Sequence, residues 1–215
     1  MAGSGSEESG RAALTPELVL DAAMVVLERD GVNGLSMRGL ANELGVGSPT
    51  IYWHVGNRDE LFNQLIVRIT DQLGSIEPTG SDPVERIASI CKTLLDELRR
   101  RPQLVALAYA QGKGEAIFVK AQESIARELI ASGMRGAEGA FALAAILFQI
   151  GGFMLFEGAV SHDFRIHGVS QWQSDEGREL GAYLEGSLDL DAVFDTSLST
   201  LLRSLLTDRA AQSSR

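Results

Sequence analysis

The sequence contains a single cysteine, Cys91, which excludes both an intrachain disulfide framework and a cysteine-rich zinc site. Its apolar neighbours, Ile90 and Leu94–Leu95, favour a role as a small buried hydrophobic residue. Basic residues are also scarce: 19 Lys plus Arg stand against 29 Asp plus Glu in 215 residues, a net charge of −10. This balance argues against a protein that coats nucleic acid through bulk charge, although a small local contact surface for DNA stays possible.

Several functional signatures are absent as well. The amino terminus lacks the basic start and apolar stretch of a signal peptide, so we expect a cytoplasmic protein. No GxSxG, HExxH or Walker phosphate loop occurs, so we expect no enzyme and no cofactor. His162 and His167 are five residues apart and would not share a helical face, so we expect no metal site.

One long apolar segment could form either a membrane-spanning helix or a helix buried inside protein. Residues 139–156 carry no charge, and about 18 apolar residues is the lower limit for a membrane span. The polar Gln149, the Gly151–Gly152 pair and the lack of a basic flank weigh against a span. We therefore predict no membrane contact and a helix buried inside a protein or an oligomer.

Helical periodicity is what the sequence does contain. Hydrophobic residues recur at spacings of three and four, and no alternating β pattern of any length appears, so the predicted fold is all-α. We interpret residues 1–13 as a disordered tail, 14–74 as an amino-terminal domain of short helices and 75–215 as a second helical domain. The opening helix of the amino-terminal domain is predicted to begin at Pro16 with Thr15 as its cap. The boundary is predicted from two prolines and a glycine between Ser75 and Pro83. Further helices are predicted around 103–111, 115–131, 137–160 and 189–207, and the polar stretch 162–177 is left as a loop or a short helix.

Residues 36–54 read SMRGLANELGVGSPTIYWH, a pattern typical of a helix-turn-helix. Ser36 is placed to cap the first helix, Gly45 makes the tight turn, and Val46 and Ile51 fill the junction between the two helices. We predict that Ser48 caps the second helix. In this motif the second helix enters the major groove of DNA.

The second helix is short and polar, which favours a contact surface over a core element. Its hydroxyl, indole and imidazole groups can reach phosphates, and its methyl and aromatic groups can touch thymine methyls. Arg38 and Arg58 flank it and can bind a base edge or a phosphate. The alternative is that Tyr52 and Trp53 are core aromatics of a helical hairpin and His54 a surface residue.

The run from Thr15 to Leu65, above all Ser48–Val55, closely resembles the DNA-binding domain of the TetR family, and most of all its tetracycline-repressor branch. The resemblance implies that Arg38 reads a guanine, that the aromatic face packs on the sugar-phosphate backbone and that Arg58 contacts phosphate. The DNA-binding candidates are Arg38, Ser48, Pro49, Thr50, Tyr52, Trp53, His54, Asn57 and Arg58.

The sequence departs from the family pattern in its charges. Gly47 and Gly56 stand where relatives often carry charged residues, and residues 1–75 contain five Arg, no Lys and ten Asp plus Glu. We therefore predict modest operator binding with a shallow dependence on salt.

The second domain is expected to form a two-fold dimer, because a palindromic operator presents two half-sites about one helical turn apart, ~34–36 Å. We predict a four-helix interface from the helices 137–160 and 189–207 of each subunit, with Gly139, Gly151 and Gly152 allowing close approach. The family resemblance implies the same arrangement. The alternative is that the apolar helix is only the centre of a monomeric core.

The resemblance also implies a small apolar or amphipathic effector in the second domain, where aromatic side chains and a few polar anchors could line a pocket. We therefore expect a homodimeric repressor that a ligand releases from its operator; the alternative is a regulator controlled by a partner protein or acting constitutively. Nothing after residue 66 matches the His-rich segment that binds tetracycline and magnesium, so neither is predicted. The effector candidates are Tyr109, Phe118, Phe148, Gln149, Phe153, Phe156, Glu157, His162 and Trp172.

Overall fold

A computed structural model describes residues 14–159, 173–184 and 189–212, and all regular secondary structure in these ranges is helical. The all-α prediction is confirmed. The helices are α1 Pro16–Gly34, α2 Met37–Leu44, α3 Ser48–Val55, α4 Arg58–Gln72, α5 Pro83–Arg99, α6 Pro102–Ala110, a 3₁₀ helix Gly114–Phe118, α7 Val119–Ala131, α8 Gly136–Ala159, α9 Asp175–Leu184 and α10 Leu190–Gln212.

Side-chain caps begin the first two helices at the residues that the sequence predicts. The Thr15 hydroxyl oxygen accepts from the backbone N–H of Leu18 at 3.3 Å, and that of Ser36 accepts from Gly39 at 3.1 Å. The regular part of α1 ends at Gly31, whose φ of +70° interrupts the helix before a last turn to Gly34.

The start of α3 differs from the prediction. Ser48 is the first residue of the helix, and Gly47, with extended φ and ψ of −76° and 145°, takes the capping position. The carbonyl of Gly47 accepts from the N–H of Thr50 at 3.0 Å, and no side chain caps this end. The Ser48 hydroxyl is therefore not used as a cap.

The chain forms two compact units. The first comprises the described residues up to Gln72 together with Arg101–Ile117, and the second comprises Leu73–Arg100 and the described residues from Phe118 onward. Helix α6 packs on α1 and α4 with Leu104, Leu107 and Ala108 buried, whereas the boundary predicted near residue 75 assigned it to the second domain. Periodicity reveals that α6 has a buried face but not which helices cover it.

Helix α5 is the centre of the second unit and packs against α7, α8 and α10. Ion pairs also join these helices. Arg86 of α5 pairs with Glu128 of α7 at 2.7 Å, and Arg99 of α5 pairs with both Glu157 of α8 and Asp191 of α10 at 2.7 Å. Cys91 lies fully buried in the core of the unit, as expected. Burial raises the pKa of its thiol to about 12.

Helix α8 buries one face and exposes another that is also apolar. Ala142, Ile146 and Ile150 are fully buried, whereas Phe141 and Phe148, seven residues apart, are 70% and 79% exposed. The segment Gly136–Leu155 is long and apolar enough to cross a membrane by length and composition alone, with a mean hydropathy of 1.6, and 17% of it is buried within the chain.

The three glycines predicted to allow close approach have different surroundings. A Cβ at Gly151 would lie 3.8 Å from the Phe118 ring, inside the unit, and one at Gly139 would lie 3.1 Å from the carbonyl oxygen of Met134. Only Gly152 has open space around it. Gly152 alone of the three is therefore placed for contact with another chain.

Helices α9 and α10 depart from expectation in different ways. The apolar seam of α10, including Phe194, Leu198 and Leu202, is buried in its own unit, where α10 packs on α5 and α8. Helix α9 begins inside the polar stretch left open as a loop or a short helix, and the Ser174 hydroxyl accepts from the N–H of Gly177 in its first turn. The predicted tail 1–13 lies outside the described residues.

Candidate nucleic-acid interface

The turn between α2 and α3 is built around a left-handed glycine. Gly45 has φ 64° and ψ 34°, and the N–H of Val46 donates to the carbonyl of Ala41 at 3.0 Å, closing α2. Ile51 and Val55 are buried and anchor α3 to its neighbours. Both anchors lie on one side of α3, so the other side is left for solvent.

The outward side of α3 carries the aromatic candidates. Trp53 is 81% exposed and Tyr52 is 50% exposed, which excludes the alternative that they are core aromatics. Pro49 and Thr50 are exposed at the other end of the helix, and Ser48 is half-buried. The side chains proposed to face DNA are thus open to solvent on one short helix.

Two of the four arginines in α1–α4 are occupied by carboxylates. Arg29 bonds Asp30 at 2.9 Å and Glu43 at 3.1 Å, and Arg68 pairs with Asp21. The hydrogen bond from Arg29 lowers the pKa of Glu43. Sequence reasoning missed these acidic partners, because 14 and 47 residues separate Glu43 and Asp21 from the arginines that they bind.

Arg38 and Arg58 are the arginines that stay available. Both are exposed, and neither pairs with an acid among the residues that the structure describes. The Arg58 guanidinium lies over the Phe62 ring at 4.4 Å from its centroid, a cation–π contact that restrains it without neutralising its charge. The two arginines come from α2 and α4, the helices before and after α3.

Asn57 has a structural role that was not predicted from the sequence. Its Oδ1 accepts from the N–H of Glu60 at 2.9 Å, while Glu60 Oε2 accepts from the N–H of Asn57 at 2.7 Å. This is a capping box at the start of α4, and the spacing Asn57-x-x-Glu60 could have signalled it. The amide NH₂ of Asn57 takes no part in this box.

The same box explains the glycine before it. Gly56 has φ +74°, and a Cβ there would lie 1.7 Å from Glu60 Oε2. A side chain at position 56 therefore conflicts with both the backbone and the box.

The described effector candidates are divided between the two units. Tyr109 belongs to the first unit, where its ring packs against Gly114, whereas the other described candidates belong to the second unit. Phe118 is buried, and Phe148 faces solvent. His162 and Trp172, and the side chain of Phe156, lie outside the described residues.

The two polar effector candidates that the structure describes, Gln149 and Glu157, already have partners within the chain. Gln149 Nε2 donates to Ser197 Oγ at 2.7 Å, and Glu157 is paired with Arg99 at 2.7 Å. The ring of Phe153 packs against that of Phe194, with centroids 4.8 Å apart. These contacts join α8 to α5 and α10, so the three residues stabilise the second unit in this structure. Across the described residues, no group of three or more His, Cys, Asp or Glu could hold a metal ion.

Comparison with known proteins identifies the helix-turn-helix unit. Residues 19–65, which include α2, α3 and most of α1 and α4, match the family of bacterial regulatory proteins called the tetR family. Tetracycline repressor protein class D of Escherichia coli is 47% identical over 58 residues, which are 27% of this chain and 27% of that protein. Residues 19–65 thus form a helix-turn-helix domain that is similar to that of the TetR family.

Longer matches extend beyond the helix-turn-helix. The chain is 28% identical to an HTH-type transcriptional regulator of Saccharopolyspora erythraea over 153 residues, 69% of this chain and 63% of that protein. Its fold superposes on apo ActR of Streptomyces coelicolor with a TM-score of 0.72 at 25% identity, covering 92% of this chain and 97% of ActR. ActR has also been solved in complex with actinorhodin.

Proposed function

We propose that this chain is a homodimeric transcriptional regulator of the cytoplasm, with no enzymatic activity, that binds a palindromic double-stranded operator and is released from it by a small-molecule effector. The observation that carries the proposal is that Arg38 and Arg58, on the helices before and after the exposed α3, pair with no acid among the described residues. The match of residues 19–65 to the TetR family supports it.

Each exposed group has a proposed task on DNA. The Arg38 guanidinium reads a guanine, since its paired donors match the acceptors of that base in the major groove. Pro49, Thr50 and the half-buried Ser48, at the start of α3, lie at base edges. Tyr52 and Trp53 pack on the sugar-phosphate backbone and thymine methyls, and Arg58 neutralises a phosphate.

The exposed stripe of α8 is proposed as the dimer interface. Phe141, Phe148 and Leu155 stand at intervals of seven residues and are 57–79% exposed, and Gly152 on the same face has no neighbour within 4 Å. Two stripes packed together would cover this apolar surface, which a single chain leaves in water. α10 would contribute its outer, more polar side, because its apolar seam is already buried.

A substitution on the stripe tests the dimer. Gly152→Glu places a charge in the interface without meeting any neighbour in its own chain, so we expect a folded monomer with weak operator binding. Ala131→Glu, at an exposed position of α7, is the matched control and should leave a dimer. Light scattering after gel filtration measures the mass, and a Gly152→Glu variant that stays dimeric would exclude this interface.

The second unit is the proposed receptor for an apolar or amphipathic effector. The related ActR, solved in complex with actinorhodin, supports this assignment. An effector would lower operator affinity if it bound better to a conformation in which the two α3 helices of the dimer are out of register with successive major grooves of the DNA. A difference of a few kcal/mol between its affinities for the two conformations suffices.

Selection of bound fragments from a random DNA pool tests the whole proposal. We expect a palindromic consensus with half-sites about one helical turn apart, ~34–36 Å. Arg38→Ala should relax the preference at one base pair, whereas Arg29→Ala, which removes an arginine held by two carboxylates, should not. The selection is then repeated with candidate effectors. Operator affinity that no ligand changes, but that a partner protein does, would refute the small-molecule mechanism.

A further inference from the structure

Arg29 is held by two carboxylates that together engage every nitrogen of its guanidinium group. Nε and Nη2 donate to Asp30 at 2.9–3.1 Å, and Nη1 and Nη2 donate to Glu43 at 3.2 and 3.1 Å. Paired donors on paired acceptors fix a guanidinium in both position and orientation. We call Arg29, Asp30 and Glu43 the arginine clamp.

The arginine clamp lies at the surface, where ion pairs contribute little to stability. The side chain of Arg29 is 52% exposed, and those of Asp30 and Glu43 are each 40% exposed. Helices α1 and α2, which the clamp joins, already pack on each other. The main consequence of the clamp is therefore electrostatic, because it occupies a surface cation with two anions.

The arginine clamp is attached to the helix that crosses the DNA backbone in this motif. In a helix-turn-helix the first helix, here α2, crosses the sugar-phosphate backbone while the second enters the major groove. Glu43 lies in the last turn of α2, on the exposed side that also carries Arg38. The two positions are five residues apart, about 8 Å along the helix axis. Arg29, bound to Glu43, thus lies at the same surface as an arginine proposed to contact DNA.

We infer that Asp30 and Glu43 withhold Arg29 from DNA phosphates and thereby limit the affinity of the protein for DNA of any sequence; for the operator, the inference rests on the proposed function. A cation that neutralises a phosphate strengthens binding to the operator and to unrelated DNA alike, because the backbone carries no sequence information. Withholding Arg29 weakens both by the same factor. The base contacts proposed for Arg38 and α3 are left unchanged, so the preference for the operator is kept while binding to unrelated DNA is reduced.

Release of Arg29 tests the inference. Asp30→Asn/Glu43→Gln keeps the shape of both side chains and removes their charges, which frees one arginine in each protomer. We expect the slope of log K against log salt to steepen by about 1.8 for a dimer, both on the selected operator and on a random-sequence duplex. The gain in affinity over wild type should therefore be about 12-fold larger at 50 mM salt than at 200 mM.

A third substitution separates the release of Arg29 from the removal of acidic charge. Asp30→Asn/Glu43→Gln/Arg29→Ala lacks the same two carboxylates but has no arginine to release, so its slope should return to the wild-type value. A slope that stays steep would mean that the carboxylates act by repelling phosphates, which would overturn the inference. Glu28→Gln is the matched control, because Glu28 is exposed and adjacent to Arg29 along the chain but is not one of the two carboxylates that hold it; its slope should equal that of wild type.

The arginine clamp is also measurable in the free, full-length protein. The Nε–H group of Arg29 donates to Asp30, so its ¹H–¹⁵N heteronuclear NOE should be that of a restrained side chain and should fall in Asp30→Asn/Glu43→Gln. The spectrum of Arg29→Ala assigns the signal, and circular dichroism verifies that each variant is folded. An Nε–H group that is equally mobile in wild type and in the double variant would overturn the inference without any DNA.

The two DNA ligands separate this inference from the proposed function. If the wild-type protein selects no operator but the double variant gains affinity for the random-sequence duplex through Arg29, the proposed function fails and the clamp still withholds a cation from phosphates. If the wild-type protein selects an operator but the double variant gains affinity for neither DNA, the proposed function stands and the clamp does not limit DNA binding.

Discussion

The salt dependence of operator binding follows from the number of cationic side chains that each protomer can bring to phosphates. Helices α1–α4 contain four arginines and no lysine, and Arg29 and Arg68 are already held by carboxylates. Arg38 and Arg58 are left, so a dimer offers about four cations. Because each neutralised phosphate contributes roughly −0.9 to the slope of log K against log salt, we expect a slope of about −3.6.

Removal of one free arginine should change that slope by a predictable amount. Arg58→Ala takes one cation from each half of the dimer and should bring the slope to about −1.8. Between 50 and 200 mM salt, wild-type affinity should then fall about 150-fold and that of the variant about 12-fold. Arg29→Ala is the matched control: it removes an arginine of equal charge that is already neutralised, so the slope should not change.

Fluorescence anisotropy of a labelled operator fragment, titrated at several salt concentrations and one pH, measures the slope. Circular dichroism verifies that each variant is folded, and a chain without residues 1–13 separates any contribution of Arg11, which lies outside the described residues. A wild-type slope of about −7 or steeper, equivalent to eight or more phosphates per dimer, would refute the reasoning. So would an equal loss of slope in Arg29→Ala and Arg58→Ala.

Three further predictions concern stability and reactivity. Gly56 has φ +74° and lies against Glu60, so Gly56→Ala should lower the free energy of unfolding, measured by urea titration, by about 1–3 kcal/mol. Gly47→Ala is the control and should not lower it, because a Cβ at position 47 would lie 3.6 Å from its nearest neighbour, an ordinary contact. Cys91, buried and with a pKa near 12, should resist iodoacetamide at pH 8 until the chain is unfolded, and rapid labelling of native protein would contradict its burial. The hydrogen bond from Arg29 lowers the pKa of Glu43 in the folded protein, so the ion pair stabilises the fold at pH values above 4.5, the ordinary pKa, and this stabilisation is lost as the pH falls and Glu43 is protonated. The difference in Tm between wild type and Glu43→Gln should therefore narrow below pH 4.5.

Local chemistry made much of the first unit predictable. The caps at Thr15 and Ser36, the turn at Gly45 and the burial of Ile51 each depend on residues within a few positions of one another, and the structure has them as predicted. The outward position of the aromatic side chains of α3 follows from the same spacing, because the buried positions of a short helix fix which side is left for solvent.

Long-range partners were not predictable. The sequence shows arginines but not which of them meet carboxylates 14 or 47 residues away, and it shows an apolar face on α6 but not the helices that cover it. Gln149 and Glu157 have the chemistry of ligand anchors, yet Ser197 and Arg99 occupy them in the folded chain. Each of these outcomes depends on which helices pack together.

The sequence by itself determined an all-α chain with a helix-turn-helix, because capping, turn chemistry and helical periodicity act over a few residues. The tertiary structure decided which groups are free to act. It neutralised Arg29 and Arg68, left Arg38 and Arg58 exposed, and enclosed one nitrogen of His54. Charge pairing and burial join residues that are distant along the chain, and only the packing of the helices brings those residues together.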